Sequence, residues 1–373
     1  MIRVLQCVSN MDRAGIETML MNYYRNIDRE NIQFDFLVNK SKKGDYDDEI
    51  LSLGGRIFKS PGLNPFKFKN YQRFMEKLFQ EHPEYKIIHC QNESMGFYAL
   101  KAAKDNNIPV RIAHSHNTNI NKDYKYPIKM ICRKNILKVS NYQYACGVEA
   151  GKYLFKKKVP IIHNAINTSF FVYNKDIRDS IRKQYNVQDN FLVGCVCRFD
   201  KQKNPLFLLD IFYELLKIKP TSKLLLVGDG NLKEKIVKKI KKLNIEDKVI
   251  LTGNVPNVNE LYQAMDIFLL PSLFEGLPVV GIEAQAAGLK CFISSNVSRE
   301  VDITGNIIFY SIKNNSKKWA ELINEQSEYE RYDTRQKIID AGYDIYTESK
   351  KLENMYKRLL KEVQKNENSN DWA

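Results

Sequence analysis

The chain has 373 residues and a mass of 43.6 kDa, which is enough for two ordinary α/β domains. A hydrophobic content of 43% with 11% aromatic residues supports well-filled cores and excludes a globally disordered chain. The formal net charge of +14 indicates an anionic partner, such as phosphorylated metabolites or an acidic membrane leaflet. No helix-turn-helix, zinc-finger or RNP signature occurs, so we expect no nucleic-acid partner.

The seven cysteines are scattered, form no CxxC motif and lie mostly in apolar, strand-like runs. Cysteines in such runs behave as small buried hydrophobes, and this usage fits a reduced, cytoplasmic setting. The N-terminal sequence lacks the apolar region of a signal peptide, and no run approaches the roughly 20 apolar residues of a membrane span. We therefore expect a cytoplasmic protein, either soluble or peripheral on the inner face of the plasma membrane.

In the first half of the chain, short apolar runs alternate with helical patterns, which is typical of parallel α/β sheets. Helices are predicted at residues 16–27 and 65–80. The predicted strands are residues 2–9, 34–38, 56–58, 86–90, 110–116 and 142–147.

The second half restarts the same pattern, so the sequence predicts two Rossmann-like domains with parallel sheets, facing each other across an interdomain cleft. Ligands bind at the carboxyl ends of the strands in such sheets, so we expect the site in that cleft. The predicted domains are residues 1–168 and 169–345. The predicted strands are residues 191–199, 223–230, 248–254, 266–272 and 289–295, and the predicted helices are 204–218, 232–243, 257–265 and 346–363.

The most informative segment is PSLFEGLPVVGIEAQAAG at residues 271–288. Pro278 is predicted as the first residue of a helix and Gly288 as its stop, with Glu275 in the preceding loop and Glu283 inside the helix. A helix N-terminus beside a glycine exposes N–H groups that suit a phosphate. Two carboxylates flanking it predict a ligand with hydroxyls on either side of a phosphate, which is the layout of a sugar nucleotide.

A second cluster, CRFDKQKN at residues 197–204, follows a predicted strand. Arg198 offers a bidentate fork to phosphate oxygens and Lys203 a point charge, which suits a diphosphate leaving group. A solvated basic loop is the alternative in this lysine-rich chain. Two further strand ends are weaker signals: the turn VGDGN needs glycine for geometry alone, and the backbone at Asn254 and Val255 is placed to face a nucleobase.

In the first half, the segment NMDRAGIET joins the first strand to the first helix. Gly15 permits close backbone approach there, and Glu17 lies near the helix start, where N-capping is the alternative role. At the end of another strand, Asn92 and Glu93 are candidates for contacting an acceptor.

His114 and His116 lie on one face of a predicted strand, at its carboxyl end. We expect one of them to donate or accept a hydrogen bond beside a reacting sugar, and the spacing does not decide which. Metal binding is an alternative, but no third ligand is evident. An ordinary buried histidine is the other alternative.

Residues 65–79 and 124–138 interleave Lys and Arg with aromatic and aliphatic side chains. Both resemble basic amphipathic segments that lie on an anionic membrane surface. For either segment alone, a helix with its apolar stripe in the core is the more ordinary interpretation. Two such segments in one half of a basic chain make peripheral membrane contact a prediction.

Taken together, the motifs resemble retaining glycosyltransferase family 4, which has the GT-B architecture, and they look closest to bacterial exopolysaccharide and capsule glycosyltransferases of the EpsF type. They occur in family order over nearly the whole chain, and the pair Glu275 and Glu283 with upstream Arg198 and Lys203 is the specific combination. The matching segments are AGIET, RIAHSHNT, IIHNAINTSFF, GCVCRFDKQKNP, LLLVGDG, ILTGNV and PSLFEGLPVVGIEAQAAGL.

The resemblance implies roles for these residues. Glu283 binds the ribose hydroxyls, while Glu275 holds the hydroxyls of the donor sugar and steadies charge at the reacting carbon. It also implies that His114 or His116 contacts the donor sugar and that the helix at 346–363 returns to the first domain. It further implies that the diphosphate is bound by Arg198, Lys203 and N–H groups around Gly276 and Leu277. Gly15 lets the loop after the first strand approach the donor phosphate and the acceptor.

The expected activity is retaining transfer of a hexose from a nucleotide sugar, most readily a UDP-sugar, to a lipid-linked oligosaccharide in surface polysaccharide synthesis. We expect no metal and no other cofactor, because fixed cations and a helix N-terminus can neutralise the leaving diphosphate. The Asp45 and Asp47 pair superficially resembles a metal-binding DxD motif but is predicted to be a loop. A sugar-nucleotide epimerase and a non-catalytic partner subunit are the alternatives.

Overall fold

The computed structural model describes residues 1–62, 68–119 and 123–370, and the chain divides into two compact units. The first unit comprises Met1–Ile166 and Gly342–Ala373, and the second Asn167–Ala341. The sequence predicts boundaries at 168 and 345. The structure places them earlier because Ile166 bonds to the returning chain: its N–H donates to Tyr343 O at 2.9 Å, and Ile345 N donates to Ile166 O at 2.9 Å.

The first unit is a parallel sheet with helices on both faces. Its strands are β1 (Ile2–Val8), β2 (Ile32–Val38), β3 (Ile57–Lys59), β4 (Ile87–Cys90), β5 (Val110–Ser115) and β6 (Tyr142–Ala145), in the order β3-β2-β1-β4-β5-β6. The helices are α1 (Gly15–Asn26), α2 (Asp47–Ser52), α3 (Phe68–Glu81), α4 (Phe97–Asp105), α5 (Tyr126–Asn135) and α6 (Val148–Phe155). Residues 65–67 of the predicted helix 65–80 lie outside the described residues. The predicted loop at Asp45 and Asp47 is wrong at Asp47, which begins α2.

The second unit repeats this topology. Its strands are β7 (Leu192–Val196), β8 (Lys223–Val227), β9 (Val249–Gly253), β10 (Ile267–Leu270), β11 (Lys290–Ser294) and β12 (Ile307–Tyr310), in the order β12-β11-β10-β7-β8-β9. The helices are α7 (Lys175–Gln184), α8 (Pro205–Ile218), α9 (Lys233–Lys242), α10 (Val258–Ala264), α11 (Val279–Ala286), α12 (Ser316–Gln326) and α13 (Arg335–Asp340). The sequence analysis did not predict β12. This edge strand has only four residues, and so short an apolar run also occurs in loops that pack against a core.

Both units therefore have the doubly wound order that is typical of Rossmann-like folds, and the predicted fold class is confirmed. In the second unit β7 and β10 are neighbours although they are not consecutive in the chain. The loops that leave these two strands consequently start side by side at the carboxyl edge of the sheet.

A C-terminal helix, α14 (Ile345–Asn370), packs on the first sheet. Alternation along β1 divides its side chains between two cores, as expected for a sheet covered on both faces. Val4 and Val8 share a core with Tyr356 and Leu359 of α14, whereas Leu5 packs in the core on the opposite face. The segment at the end of the chain is thus an integral part of the first unit.

The helix of the most informative segment, α11, begins one residue later than predicted. Pro278 is its extended N-cap, with φ −71° and ψ 112°, so Val279 and not Pro278 is the first helical residue. Gly288 ends the helix as predicted, with φ +68°, a conformation that glycine adopts without strain.

All seven cysteines are buried and reduced, with none in a disulfide, as their apolar surroundings predict. Cys195 and Cys197 alternate at the end of β7, where their Sγ atoms are 3.6 Å apart. The hydrogen bond to Cys197 and, after it, burial raise the pKa of the Cys195 thiol, so this thiol stays protonated at neutral pH.

Candidate functional site

The loops that follow β7 and β10 in the second unit are joined by hydrogen bonds. Leu273 N donates to Gln202 O at 2.8 Å, and Gln202 Nε2 donates to Phe274 O at 3.1 Å. Asn204 Nδ2 donates to Pro271 O at 3.2 Å. The basic cluster and the carboxylate segment, which are separate in sequence, therefore form one structural platform.

Lys203 and Glu275 are in direct contact at the centre of this platform. Lys203 Nζ lies 2.6 Å from Glu275 Oε2, with the two side chains 18% and 7% exposed. Ser272 Oγ donates to the other carboxylate oxygen, Oε1, at 2.6 Å. Both oxygens of Glu275 are thus held, and its charge is compensated by a largely buried cation, the arrangement that makes such an ion pair tolerable.

Arg198 is held beside this pair by Asp200. The Nε and Nη2 atoms of Arg198 each lie 2.6 Å from Asp200 Oδ2, while Asp200 Oδ1 accepts from Lys203 N at 3.1 Å. The Arg198 side chain is 67% exposed, so its guanidinium remains accessible to an anion. Sequence reasoning did not assign Asp200, although its position two residues after Arg198 in CRFDKQKN was the available signal.

Glu283 lies within α11, and its environment favours the neutral carboxyl. Burial raises its pKa to about 7, and the hydrogen bond from the Tyr262 hydroxyl to Oε2, at 2.9 Å, opposes that shift. Tyr262 is itself fully buried on α10. No sequence motif identifies Tyr262 as the partner of Glu283, because the two residues belong to different helices.

Gln285, on the same helix, anchors α11 to the chain that follows β11. Its Nε2 donates to Gly281 O at 2.9 Å and to Val301 O at 2.7 Å. Its Oε1 accepts from Ile303 N at 3.0 Å and Thr304 N at 3.1 Å. The fully buried amide therefore fixes the position of the helix whose N-terminus adjoins the platform.

Gly276 and Leu277 lie between Glu275 and the N-cap of α11, and both are partly exposed. No side chain caps this helix start in the described residues. The first N–H groups of a helix generally have no intrahelical partner. In α11 the third of them, Gly281 N, donates to the N-cap carbonyl, Pro278 O, at 2.9 Å. These groups form a local environment that suits an anion.

Asn254 and Val255 follow β9, which lies at the edge of the second sheet with β8 between it and β7. The structure places them at the same carboxyl edge as the platform but two strands away from β7. The neighbouring turn VGDGN needs glycine for close approach: a Cβ on Gly228 would lie 2.0 Å from Cys197 O. This contact supports the purely geometric role for that turn.

In the first unit, the structure brings His114 and His116 together with ring centroids 4.1 Å apart. They are only 1% and 9% exposed, and burial lowers the pKa of His116 to about 3, so the ring is neutral at neutral pH. Among the described residues, Nε2 of His114 and Nδ1 of His116 have no hydrogen-bond partner. Each ring therefore retains one unused nitrogen.

A cavity of about 190 Å³ in the first unit brings together the residues predicted to contact an acceptor. Gly15 is the first residue of α1 and precedes Ile16 in the chain, and an added Cβ there would meet no atom within 4 Å. The glycine is thus not required for packing in this unit. The cavity is lined by Val8, Ser9, Ile16, Glu17, Gln91, Asn92, Glu93 and Asn117.

Glu93 also has an internal role that the sequence did not indicate. Its Oε1 accepts from His116 N at 2.5 Å and from Asn117 N at 2.8 Å, which fixes the chain after β5. Burial raises the pKa of Glu93 to about 7, against the lowering effect of those hydrogen bonds. The hydrogen bonds from Glu93 to the segment of His116 and Asn117 are observed. A contact between Glu93 and the molecule that receives the sugar stays a prediction.

No set of three or more His, Cys, Asp or Glu side chains within residues 1–62, 68–119 and 123–370 has the arrangement of a metal site. Over those same residues, no helix is long and apolar enough to cross a membrane. The strand ends of the second unit carry the cations and carboxylates of the platform, and those of the first carry the two histidines together with Glu17 and Glu93.

Two protein-family models match this chain. The model for "Glycosyltransferase Family 4" matches residues 13–170, and the model for "Glycosyl transferases group 1" matches residues 177–345. A Bacillus subtilis (strain 168) protein named glycosyltransferase EpsF is 33% identical over 369 residues, covering 95% of this chain and 96% of that protein. The Escherichia coli UDP-Gal:alpha-D-GlcNAc-diphosphoundecaprenol alpha-1,3-galactosyltransferase is 24% identical over 226 residues, covering 57% and 58%. The crystal structure of Anabaena HepE in complex with UDP-glucose has a TM-score of 0.80 at 16% identity, covering 96% of this chain and 100% of that one.

The likeness to HepE shows a shared fold and nothing further about activity. The identity to the Bacillus subtilis relative extends along nearly the whole chain, through both matched families. The chain therefore belongs to glycosyltransferase family 4, with the GT-B fold.

Proposed function

We propose that this glycosyltransferase moves a hexose from a UDP-sugar to a lipid-linked oligosaccharide, with retention of the anomeric configuration, in surface polysaccharide synthesis. The observation that carries the proposal is the Lys203–Glu275 pair beside the uncapped start of α11. The name of the Escherichia coli relative, which specifies a UDP-galactose donor and a diphosphoundecaprenol-linked acceptor, supports this choice of substrates. The UDP-glucose bound to HepE supports the donor class.

On the second unit, we assign the diphosphate to Lys203, Arg198 and the N–H groups around Gly276 and Leu277. A guanidinium, an ammonium and a helix N-terminus together supply the positive field that a departing diphosphate requires. We propose that these groups suffice without a metal ion. Asn254 and Val255 are assigned to the nucleobase through their backbone.

Glu275 and Glu283 have different roles in this proposal. Glu275 accepts hydrogen bonds from hydroxyls of the transferred sugar and stabilises the positive charge that grows at its anomeric carbon. Glu283 accepts from the ribose hydroxyls. Lys203 and Ser272 each donate a hydrogen bond to one carboxylate oxygen of Glu275 and so fix its side chain. This limits the reorganisation of Glu275 that is needed when the donor binds.

The transfer breaks the bond between the anomeric carbon and the phosphate oxygen and forms a bond from that carbon to an acceptor oxygen. For retention, the acceptor hydroxyl attacks on the face from which UDP departs. Its proton passes to the departing phosphate oxygen, so the products are the extended glycan and protonated UDP. We assign hydroxyl contacts of the transferred sugar to His114 and His116, and acceptor contacts to Glu17, Asn92 and Glu93, with Gly15 leaving room beside them.

The pKa of Glu283 gives a pH dependence for nucleoside binding. A protonated carboxyl is a poorer acceptor for two ribose hydroxyls, so affinity falls as the pH drops through about 7. We expect uridine, which carries no titrating phosphate, to bind about tenfold more weakly at pH 6 than at pH 8. Isothermal titration calorimetry at both values measures this ratio. In Glu283→Gln, binding should be weak and independent of pH.

A matching stability measurement separates lost binding from unfolding. The folded pKa of Glu283 lies above the ordinary value of 4.5, so its contribution to stability is present below that value and is lost as the pH rises through about 7. Glu283→Gln should therefore melt at the same temperature as the parent protein or higher at pH 8. Uridine affinity that stays constant from pH 6 to pH 8 in the parent protein would remove Glu283 from the ribose site.

The structure distinguishes the two segments that were predicted to lie on a membrane. In the described part of residues 65–79, α3 buries Tyr71 and Met75 in the core, as an ordinary amphipathic helix does. In segment 124–138, by contrast, Tyr124 is 87% and Ile131 61% exposed. We therefore propose segment 124–138 as the surface that meets anionic lipid.

Vesicle sedimentation tests this membrane surface. Phosphatidylglycerol vesicles should retain the protein at about 0.02 M salt and release it at about 0.5 M, because screening weakens the attraction of Lys and Arg. The double variant Tyr124→Ser/Ile131→Ser should be retained several-fold less. Phe170→Ser, which changes an exposed aromatic residue of the second unit, is the control and should be retained like the parent protein. Equal retention of the double variant and the parent would exclude this surface.

A donor panel tests the proposed activity against its two alternatives. The protein is incubated with several UDP-hexoses, with and without lipid-linked acceptors, and UDP and sugar nucleotides are quantified. The proposal predicts acceptor-dependent release of UDP, with slow hydrolysis when no acceptor is present. A new sugar nucleotide formed without acceptor would instead indicate an epimerase. UDP binding without transfer or hydrolysis across the panel would indicate a non-catalytic subunit.

A further inference from the structure

A run of buried polar side chains joins α14 to the two histidines of the first unit. Gln6 Nε2 lies 3.1 Å from the hydroxyl oxygen of Tyr356, and that oxygen lies 2.7 Å from His89 Nδ1. His89 Nε2 lies 3.2 Å from His114 Nδ1. All four side chains are at most 2% exposed, so these groups depend on one another for hydrogen bonds.

A second arm of the run starts from the same glutamine. Gln91 Nε2 donates to Gln6 Oε1 at 3.0 Å, and His116 Nε2 lies 2.7 Å from Gln91 Oε1. Gln6 therefore lies between Tyr356 of α14 and the amide of Gln91, and Gln91 in turn contacts His116. The two arms end on the adjacent rings of the histidine pair.

The direction of hydrogen bonding along the first arm follows from its chemistry. An amide nitrogen only donates, so the Tyr356 hydroxyl accepts from Gln6 and gives its own proton to His89 Nδ1. Burial lowers the pKa of His89 to about 3, so the ring is neutral and carries its remaining proton on Nε2. His89 then donates to His114 Nδ1, which leaves the proton of His114 on Nε2.

The second arm gives the same result. The amide oxygen of Gln91 only accepts, so His116 carries its proton on Nε2 and keeps a lone pair on Nδ1. If both amides are turned over, every hydrogen bond reverses and all three rings carry the proton on Nδ1 instead. In both directions the three histidines share one tautomer, and the unused nitrogens of His114 and His116 are one donor and one acceptor.

We propose that Tyr356 is a positioning residue that locks the buried histidines in one tautomer. The two buried nitrogens of His114 and His116 that have no partner among the described residues are then one donor and one acceptor, available to a single sugar hydroxyl that binds beside them. A hydroxyl both donates and accepts, and it therefore matches this pair. The inference rests on the proposed function, which supplies a sugar as the ligand. It assigns to α14 an effect, transmitted through His89, on the two histidines that are proposed to contact the sugar.

Tyr356→Phe tests the lock because it removes the hydroxyl and keeps the ring that packs against Phe34 at a centroid distance of 6.1 Å. Nitrogen-15 NMR of the imidazoles reports the tautomers. We expect His89, His114 and His116 to share one tautomer in the parent protein, and His89 and His114 to populate both in the variant. Turnover should fall about tenfold, while the KM for the donor stays within about twofold.

Tyr142→Phe is the matched control, since the Tyr142 hydroxyl also contacts α14, at 3.4 Å from Glu362 Oε2, outside the run. It should leave tautomers and turnover unchanged. Opposite tautomers for His114 and His116 in the parent protein, or full turnover in Tyr356→Phe, would overturn the proposal. If the parent protein transfers no sugar from any donor, the proposed function fails, and the NMR result still decides whether the lock exists.

Discussion

Glu275→Gln should reduce turnover by about 10² to 10³ while UDP affinity stays within about threefold. The amide keeps the volume of the side chain and can still accept from the Ser272 hydroxyl, which lies 2.6 Å from the carboxylate. It loses the negative charge that is proposed to stabilise the anomeric carbon as the diphosphate departs. Steady-state release of UDP and calorimetric titration of UDP measure the two quantities separately.

Glu246→Gln is the control for this substitution, because Glu246 is an exposed carboxylate of the same unit. It should change neither turnover nor affinity. If Glu275→Gln retained more than a third of the parent turnover, Glu275 would have no role on the sugar. A parallel loss of UDP affinity and turnover would place it on the nucleotide instead.

Lys203→Met should weaken the binding of UDP more than tenfold and that of uridine less than threefold. The loss for UDP corresponds to about 1.4 kcal/mol or more of binding free energy, most of it from the diphosphate. The methionine keeps the apolar stem and removes the ammonium. Lys201→Met, at an exposed lysine of the same loop, is the control and should leave both affinities unchanged. Equal losses for UDP and uridine would contradict contact with the diphosphate.

The same variant leaves Glu275 without its cation, and Glu275 is only 7% exposed. Removing one partner of a buried ion pair costs about 3 to 5 kcal/mol, so the melting temperature should drop. The double variant Lys203→Met/Glu275→Gln has no stranded charge and should recover stability. UDP affinity should nevertheless remain low in the double variant, which separates the ligand contact from the structural one.

The fold was predictable because alternation of apolar runs and helical patterns is a local property of the sequence. The platform of the second unit could also be predicted from the sequence. The strands that lead into CRFDKQKN and PSLFEGLP belong to one parallel sheet, so their carboxyl ends must lie at the same edge. The order β10-β7-β8 then makes those two loops neighbours. The ion pair between Lys203 and Glu275 does not follow from that order alone, because it depends on the conformation of both loops, and the sequence did not predict it.

The remaining partners depend on packing between distant segments. Tyr262 reaches Glu283 from another helix, and Tyr356 reaches His89 across 267 positions of sequence. No spacing rule connects such residues, because they meet only after each helix has docked on its sheet. The shared tautomer of the histidines is likewise a property of a closed hydrogen-bonded run and not of the AHSHN motif.

The configuration of the glycosidic bond in the product tests the central claim most directly. The protein is supplied with an α-linked UDP-hexose and a lipid-linked acceptor, and the anomeric proton of the new linkage is observed by NMR. A retaining transfer predicts an α-linkage in the product, released together with UDP. A β-linkage would contradict attack on the face from which UDP departs, and with it the role assigned to Glu275 and the groups that bind the diphosphate.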